Sequence, residues 1–126
     1  MKRIIILLIL IASMGCEKTV NPADELFGRW ERHLINSDLS CADLSWFFKE
    51  DYSGIWEANL FRNDTMIFHY MRFFEYSSYI EGMVVMCFNS YIRDDGPRVE
   101  DSDTVSQKYI LTGDSLIIGN LTFYRQ

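Results

Sequence analysis

Phe27-Gly28-Arg29-Trp30 decides the fold of this chain, because a polar stretch ends there and the first strand-like segment begins. Its counterpart is Arg125 in the last segment, where a period of two puts Leu121, Phe123 and Arg125 on one face. That face is otherwise apolar, so an inward Arg125 needs a partner. Trp30 is that partner if the first and last strands are antiparallel neighbours, and the cation–π contact contributes about 1–2 kcal/mol.

Strand-like segments fill the chain from Gly28 onward, with turn residues between them and no sustained helical period. They lie at residues 28–35, 44–49, 55–62, 65–76, 79–93, 105–112, 116–119 and 121–125, with loops at 36–43 and 93–103 and a break at Ser77-Ser78. Eight strands joined mostly by short turns close a barrel that can hold one small ligand. We therefore predict an all-β fold, an eight-stranded antiparallel up-and-down barrel. Asn21-Pro22 followed by acidic residues predicts a short helix before it.

The amino terminus has the layout of a secretory signal. Lys2 and Arg3 precede an apolar run from Ile4 to Ala12, which is too short for a membrane span of about 20 residues. Ser13-Met14-Gly15-Cys16 resembles a bacterial lipobox, although serine replaces the usual leucine. The resemblance implies cleavage before Cys16 and its acylation; the alternative is an ordinary signal peptide cleaved nearby. We predict a signal peptide at 1–15, a lipidated tether and short helix at 16–27, and a barrel domain at 28–126.

The mature chain resembles small lipocalin-like lipoproteins of the Bacteroidetes type. The residues that carry the resemblance are the lipobox cysteine, Leu26 to Trp30, Trp46-Phe47-Phe48 with Asp51 to Gly54, and the ending Tyr109 to Ile118 with Phe123-Tyr124-Arg125. The family implies that Gly28 lets the chain turn into the barrel, that Trp30 plugs its closed end, and that Arg125 lies across the indole. It also implies a lipid-anchored location in the bacterial cell envelope, periplasmic or on the outer membrane.

The net charge of the chain limits the classes of partner that it can bind. The chain has 18 acidic and 12 basic residues, a net charge of −6, and removal of Lys2 and Arg3 with the signal leaves −8. Such a chain is a poor ligand for nucleic acid or anionic lipid headgroups. The predicted partners are the membrane, through the N-terminal lipid, and either a small apolar ligand or an envelope protein.

Three cysteines are present, and Cys16 is assigned to lipid. Cys41 and Cys87 remain, an even number in an oxidising compartment, so a disulfide between them is one alternative. Two free buried thiols are the other, since sequence cannot show whether their Cβ atoms approach within about 4 Å.

Catalysis and metal binding find little support in the sequence. His33 and His69 are far apart, and no nucleophile motif, phosphate loop or zinc-binding pattern accompanies them. The acids between Asp94 and Asp103 lack the spacing of a calcium loop, which favours a solvated loop. We therefore expect no enzyme, no cofactor and no metal.

Aromatic residues make up 15% of the chain and concentrate in its middle third. They either fill the barrel or line a pocket for an apolar or sugar-like ligand. The candidate ligand-binding residues are Trp46, Phe48, Trp56, Phe68 and Tyr70. The leading hypothesis is a non-enzymatic, lipid-anchored envelope module that binds a small apolar ligand. The alternative is a structural or protein-interaction lipoprotein with a filled barrel.

Overall fold

The structure, a computed structural model, describes residues 22–36 and 40–126. A 3₁₀ helix covers Pro22–Leu26 and is followed by eight strands. They are β1 (Gly28–Ile35), β2 (Cys41–Phe48), β3 (Ser53–Arg62), β4 (Thr65–Ile80), β5 (Met83–Arg93), β6 (Val99–Thr112), β7 (Ser115–Ile118) and β8 (Leu121–Arg125). Each strand pairs antiparallel with the next, and β1 pairs with β8, so the sheet closes. The predicted all-β, eight-stranded antiparallel barrel is confirmed.

The predicted signal peptide, Cys16 and the start of the tether lie outside the described residues. Within the described part of the chain, no helix is long and apolar enough to cross a membrane.

β4 does not end at Ser77-Ser78, where the sequence predicted a break. It runs on to Ile80, and the turn falls at Glu81-Gly82, where Gly82 has a φ of +82°. Ser78 is buried, and its hydroxyl lies 2.7 and 2.6 Å from the carbonyl oxygens of Ile80 and Met83. Because the hairpin itself supplies acceptors for this hydroxyl, the serine is tolerated inside a strand.

β6 begins at Val99, within the segment predicted as an acidic loop. Glu100 and Asp103 occupy ladder positions opposite Ser90 and Phe88 of β5. The loop prediction was wrong there because pairing with a neighbouring strand, which local sequence does not reveal, outweighs the low β-propensity of the acids. For the same reason β2 begins three residues earlier than predicted, at Cys41.

The inward-facing side chains of β1 to β5 form three rows across the sheet. The first row is Gly28, Phe48, Gly54, Phe74 and Phe88; the second row is Trp30, Trp46, Trp56, Arg72 and Tyr91; the third row is Arg32, Leu44, Ala58, Tyr70 and Arg93. Strands of a barrel tilt relative to its axis, so a row runs obliquely along the barrel. This explains why Trp30 is fully buried while Trp56 in the same row is partly exposed.

The closed end of the barrel is packed around Trp30. Its indole N–H donates to the Leu26 carbonyl at 2.9 Å, and the Arg125 guanidinium lies 4.1 Å from the indole centroid. Arg125 also donates to the Phe27 carbonyl at 2.7 Å and is the ladder partner of Trp30. Gly28 has a φ of +125°, and a Cβ there would lie 2.9 Å from Arg125 Nη1, so both the turn and the contact require glycine.

The 3₁₀ helix covers this end and is held by two tyrosines. The hydroxyl of Tyr52 donates to Asp24 at 2.7 Å, and that of Tyr109 donates to Glu25 at 2.6 Å. Burial and the Glu25 carboxylate raise the pKa of Tyr109, which keeps its hydroxyl protonated as the donor. Leu26, the last residue of the helix, is fully buried, so residues 22–26 cover the closed end of the barrel.

Candidate ligand site in the open half of the barrel

Toward the other end of the barrel the inward-facing side chains are partly exposed, and Arg93 is exposed. We call this region the open half; it is lined by Trp56, Ala58, Tyr70, Arg72, Tyr91 and Arg93. These are second- and third-row residues of β3, β4 and β5. The core of the closed end, by contrast, consists of buried residues such as Phe74, which is 1% exposed.

Aromatic rings form a continuous wall that leads from the core into the open half. Ring centroids are 6.1 Å apart between Trp46 and Trp56, 5.9 Å between Trp56 and Tyr70, and 6.2 Å between Tyr70 and Phe68. Tyr91 stacks on Tyr70 at 5.6 Å. All five rings are partly exposed. Flat, partly exposed rings are surfaces on which an apolar or aromatic ligand can stack.

Phe48 does not belong to this wall, although the sequence grouped it with the candidate ligand-binding residues. It is fully buried, and its ring contacts Phe74 at 5.7 Å and Tyr76 at 5.0 Å. A ligand would have to displace packed core to reach it. Four of the five candidates therefore line the open half or lead into it, and the fifth forms the floor below.

Two arginines lie among the rings of the open half. The Arg72 guanidinium is 4.2 Å from the centroid of Phe88, and its Nη2 is 3.7 Å from an Asp103 oxygen. Arg93, at the end of β5, lies 5.3 Å from the centroid of Phe68. Among the described residues, Arg72 Nε is buried without a hydrogen-bond partner. Arg32 Nε and Asn59 Oδ1 are in the same state, and a buried polar atom left unpaired is costly.

Arg32 occupies the seam between the first and last strands. The β1–β8 ladder covers only Trp30 with Arg125 and Glu31 with Tyr124. Beyond it, Arg32 Nη1 donates to the Thr122 carbonyl at 3.0 Å and so extends the closure with a side chain. Arg32 thus adds a side-chain contact to the closure of the barrel.

A polar cavity of about 400 Å³ lies on the outer face of the barrel. Its lining residues include Arg29, Glu31, His33, Asp43, Ser45, Glu57 and Asn59. Its charged groups pair with one another: Arg29 Nε lies 2.9 Å from Glu31, and His33 Nδ1 contacts Asp43. The groups are thus largely neutralised on the protein itself.

His69 lies between two carboxylates on the outside of the open half. Its Nε2 is 2.9 Å from Glu57 and its Nδ1 is 3.3 Å from Asp95. The hydrogen bond to Glu57 raises the pKa of His69, and Asp95 adds to the effect, against a smaller opposing effect of desolvation. The His69 backbone also exchanges bonds with Asp94, donating to its carboxylate at 2.9 Å and accepting from its N–H at 2.7 Å.

Cys41 and Cys87 are free thiols, so the disulfide considered from sequence is not formed. They lie on β2 and β5, which are separated by two strands. Strands are about 4.8 Å apart, so the two Cα atoms are farther apart than the roughly 7 Å that a disulfide can span. In the described part of the chain, no three His, Cys, Asp or Glu side chains are grouped as a metal site would require.

Sequence reasoning missed the arginines of the site. A period of two in β4 aligns Arg72 with the inward rings of Tyr70 and Phe74. That alignment was a usable indication, because an arginine within an inward aromatic set demands a partner. It was hidden because the other face of β4 is also apolar, with Met71 and Phe73.

Comparisons with known protein families, with curated proteins and with solved structures find no match.

Proposed function

We propose that this protein is a non-enzymatic, lipid-anchored binding module of the bacterial cell envelope whose lipocalin-like barrel holds one small ligand with an apolar body. The observation that supports the proposal is the wall of partly exposed rings from Trp46 to Phe68, set above a packed floor. Exposed aromatic surface in water is unfavourable, and a ligand that stacks on it removes that surface from solvent.

The anchor and the ligand site would lie at opposite ends of the barrel. Cys16 precedes Pro22 by six positions, which an extended chain spans in at most about 20 Å. The 3₁₀ helix that begins at Pro22 covers the closed end. An acyl chain on Cys16 would therefore hold the floor toward the membrane and leave the open half facing away from it, accessible to solutes.

Mass spectrometry of small molecules that co-purify with the protein from native membranes tests the binding function. We expect a molecule with an apolar part to accompany the wild type. Ala58→Phe puts a ring into the third row between Leu44 and Tyr70 and should exclude it. Ile55→Phe, on the outer face of the same strand, is the matched control and should retain it.

Two results would contradict the binding function. One is the absence of any bound small molecule from wild type, which would favour the filled, protein-interaction barrel. The other is equal retention by a folded Ala58→Phe protein, checked by circular dichroism.

The anchor is tested separately by Cys16→Ser. We expect the variant to move to the soluble fraction or to remain unprocessed, because the acyl chains supply the membrane affinity. A fully processed Cys16→Ser protein that still fractionates with membranes would exclude lipidation as the anchor.

A further inference from the structure

We infer that the unpaired side of β6 binds an extended, basic segment of another protein, which adds a strand to the sheet. The inference concerns the wall of the barrel and does not depend on the small ligand proposed for the open half. Extended segments are bound in this way through backbone hydrogen bonds, and side-chain contacts add specificity. The backbone groups that β6 leaves unpaired and the charges beside them carry the inference.

β6 is much longer than β7, the next strand in the sheet. β7 pairs with residues 109–112 of β6, whereas β5 pairs with β6 from Val99 to Lys108. In the described part of the chain, the stretch 99–108 therefore has a neighbouring strand on one side only. Every residue from 99 to 104 is exposed. A long exposed edge of this kind is a template on which another strand can pair.

The β5–β6 ladder shows which backbone groups face the unpaired side. The Tyr109 N–H donates to the Gly82 carbonyl at 2.9 Å, toward β5. Backbone groups of successive residues point to opposite sides of a strand, and the ladder has no register shift in this part of β6. The N–H and C=O groups of Thr104, Ser106 and Lys108 therefore point to the unpaired side. These are the groups to which an added strand would bond.

A cavity of about 370 Å³ lies beside this edge, at the point where β7 ends. It is lined by residues 106–110 of β6 and residues 117–120 of β7 and its turn. The chain reverses at Gly119 and Asn120, both of which have a positive φ, and returns as β8. The first residues of an added strand, running antiparallel to β6 as β7 does, would enter this cavity.

The charges along β6 give the chemistry of the added segment. Glu100, Asp101 and Asp103 are exposed at the end of β6 away from β7, and Lys108 is the basic residue next to β7. Arg72 is paired with Asp103, but at 3.7 Å and with 56% of the Asp103 side chain exposed. A segment antiparallel to β6 has its carboxyl end beside these acids. Basic residues near that end would complement the edge, and complementary charges select a partner and its register.

A second copy of this chain is a poor occupant of the edge. β7 covers residues 109–112 in each copy, so two β6 edges could pair only where both continue beyond β7. Each edge carries the same acids there, and the chain has a net charge of −6. Like charges opposite each other destabilise a strand pair. The acids therefore oppose self-association and leave the edge to a basic partner.

Fluorescence anisotropy of labelled peptides tests the class of partner. The full chain in phosphatidylcholine vesicles is titrated into a capped octapeptide of alternating threonine and valine with two lysines near its carboxyl end. The matched peptide has glutamates in place of the lysines, and protein-free vesicles are the blank. We expect the lysine peptide to bind at least about tenfold more tightly than the glutamate peptide. Equal affinities would overturn the basic partner, and binding of neither peptide would overturn the inference as a whole.

Ser106→Pro removes an N–H from the unpaired side and leaves the ladder with β5 intact, since proline is tolerated on an edge strand. It should weaken binding of the lysine peptide about tenfold or more. Ser106→Ala, which keeps the N–H, is the matched control and should bind like wild type. Thr104→Pro is a second variant, and circular dichroism checks that each protein is folded. Wild-type affinity in a folded Ser106→Pro or Thr104→Pro protein would exclude the edge as the site.

Hydrogen exchange locates the peptide without any substitution. On binding of the lysine peptide, the amides of Thr104, Ser106 and Lys108 should exchange at least about tenfold more slowly, because they gain acceptors. The Val105 amide, which faces β5, should change little. Unchanged exchange at all three edge amides would show that the peptide binds elsewhere, and the inference fails. Dimers of the wild type in sedimentation that are absent for Ser106→Pro would assign the edge to a second copy instead.

Discussion

The first and third rows of the barrel use the same strands for opposite purposes. On β4, Phe74 of the first row is 1% exposed and contacts Phe48, Tyr76 and Phe88. Tyr70 of the third row, four residues earlier on the same face, is partly exposed and contacts other partly exposed rings. The β3–β4 pairing is regular at both residues, whereas the β4–β5 ladder shifts register beside Phe74. Side-chain packing separates a region of buried rings from one whose rings are partly exposed.

A small barrel can thus pack one end tightly and leave the inward side chains of the other end partly exposed. A barrel domain of about 100 residues buries a limited core, and its stability must be concentrated where packing is dense. In this barrel the dense packing lies at the closed end, where buried rings surround Gly54 and Trp30.

Phe74→Ala should lower the free energy of unfolding by about 3–5 kcal/mol, because it leaves a cavity in packed core. Tyr70→Ala should cost about 1–2 kcal/mol, because the truncated ring is already in contact with solvent. Urea melts of the two variants measure the contrast on one strand. Equal costs would mean that the open half is part of the core and would remove the distinction between the rows.

Gly54→Ala should cost about 3 kcal/mol, although it adds only a methyl group. A Cβ at Gly54 would lie 2.3 Å from Phe74 Cζ and 2.8 Å from the Phe47 carbonyl oxygen, and overpacking of this kind forces side chains or backbone to move. Denaturant melts in wild-type and Phe74→Leu backgrounds test the reason. In the second background the cost should shrink, since residues in contact are energetically coupled. Additive costs would show that the ring of Phe74 is not what excludes a side chain at Gly54.

Arg125→Ala should cost about 2 kcal/mol through loss of the stacking on Trp30 and of the bond to the Phe27 carbonyl. Arg125→Lys should cost less but still measurably, because an ammonium does not stack flat on an indole. Tyr124→Ala should cost least, since Tyr124 faces outward and is 55% exposed. Denaturant melts rank the three, and a neutral Arg125→Ala beside a severe Tyr124→Ala would contradict the role of the Trp30–Arg125 contact.

Closure of the barrel was predictable because two short-range patterns suffice for it. Alternation identifies strands, and eight of them with short turns have one simple closed solution. The inward face of β8 was also predictable, since a period of two groups Leu121 with Phe123 and apart from Tyr124. In the structure Phe123 is buried and Tyr124 is exposed. Strand ends were less predictable, because Ser78 is accommodated by carbonyl groups of its own hairpin and the acids of β6 by pairing with β5.

The candidate site was predictable only in its aromatic part. Trp46, Trp56, Tyr70 and Phe68 emerged from composition, but the burial that separates them from Phe48 depends on three-dimensional packing. Arg72 stayed hidden because both faces of β4 carry large apolar residues, so polarity could not identify the inward one. An inward-facing arginine can be recognised only once the inward face of its strand is known.

The smallest effect expected concerns His69, which fastens the rim of the open half from outside. Its raised pKa means that the folded state holds the proton more tightly than the unfolded chain does. The stabilisation is therefore fully present below the ordinary histidine pKa of about 6.5 and is lost as the pH rises through the raised value. We expect the difference in unfolding free energy between wild type and His69→Gln to fall by up to about 1 kcal/mol over that range.

The loss should be local to the open half, because His69 bonds to Glu57 of β3 and to the turn at Asp94 and Asp95. After correction for intrinsic rates, hydrogen exchange at the Asp94 amide should increase at the higher pH, while exchange at the Val84 amide, in the packed half, should not. Glu57→Gln should abolish most of the pH dependence, and Asp95→Asn should remove little, since Glu57 makes the shorter contact and Asp95 is 90% exposed. If hydrogen exchange at both amides increases together, the barrel opens as one unit. The closed end and the open half then do not differ in local stability.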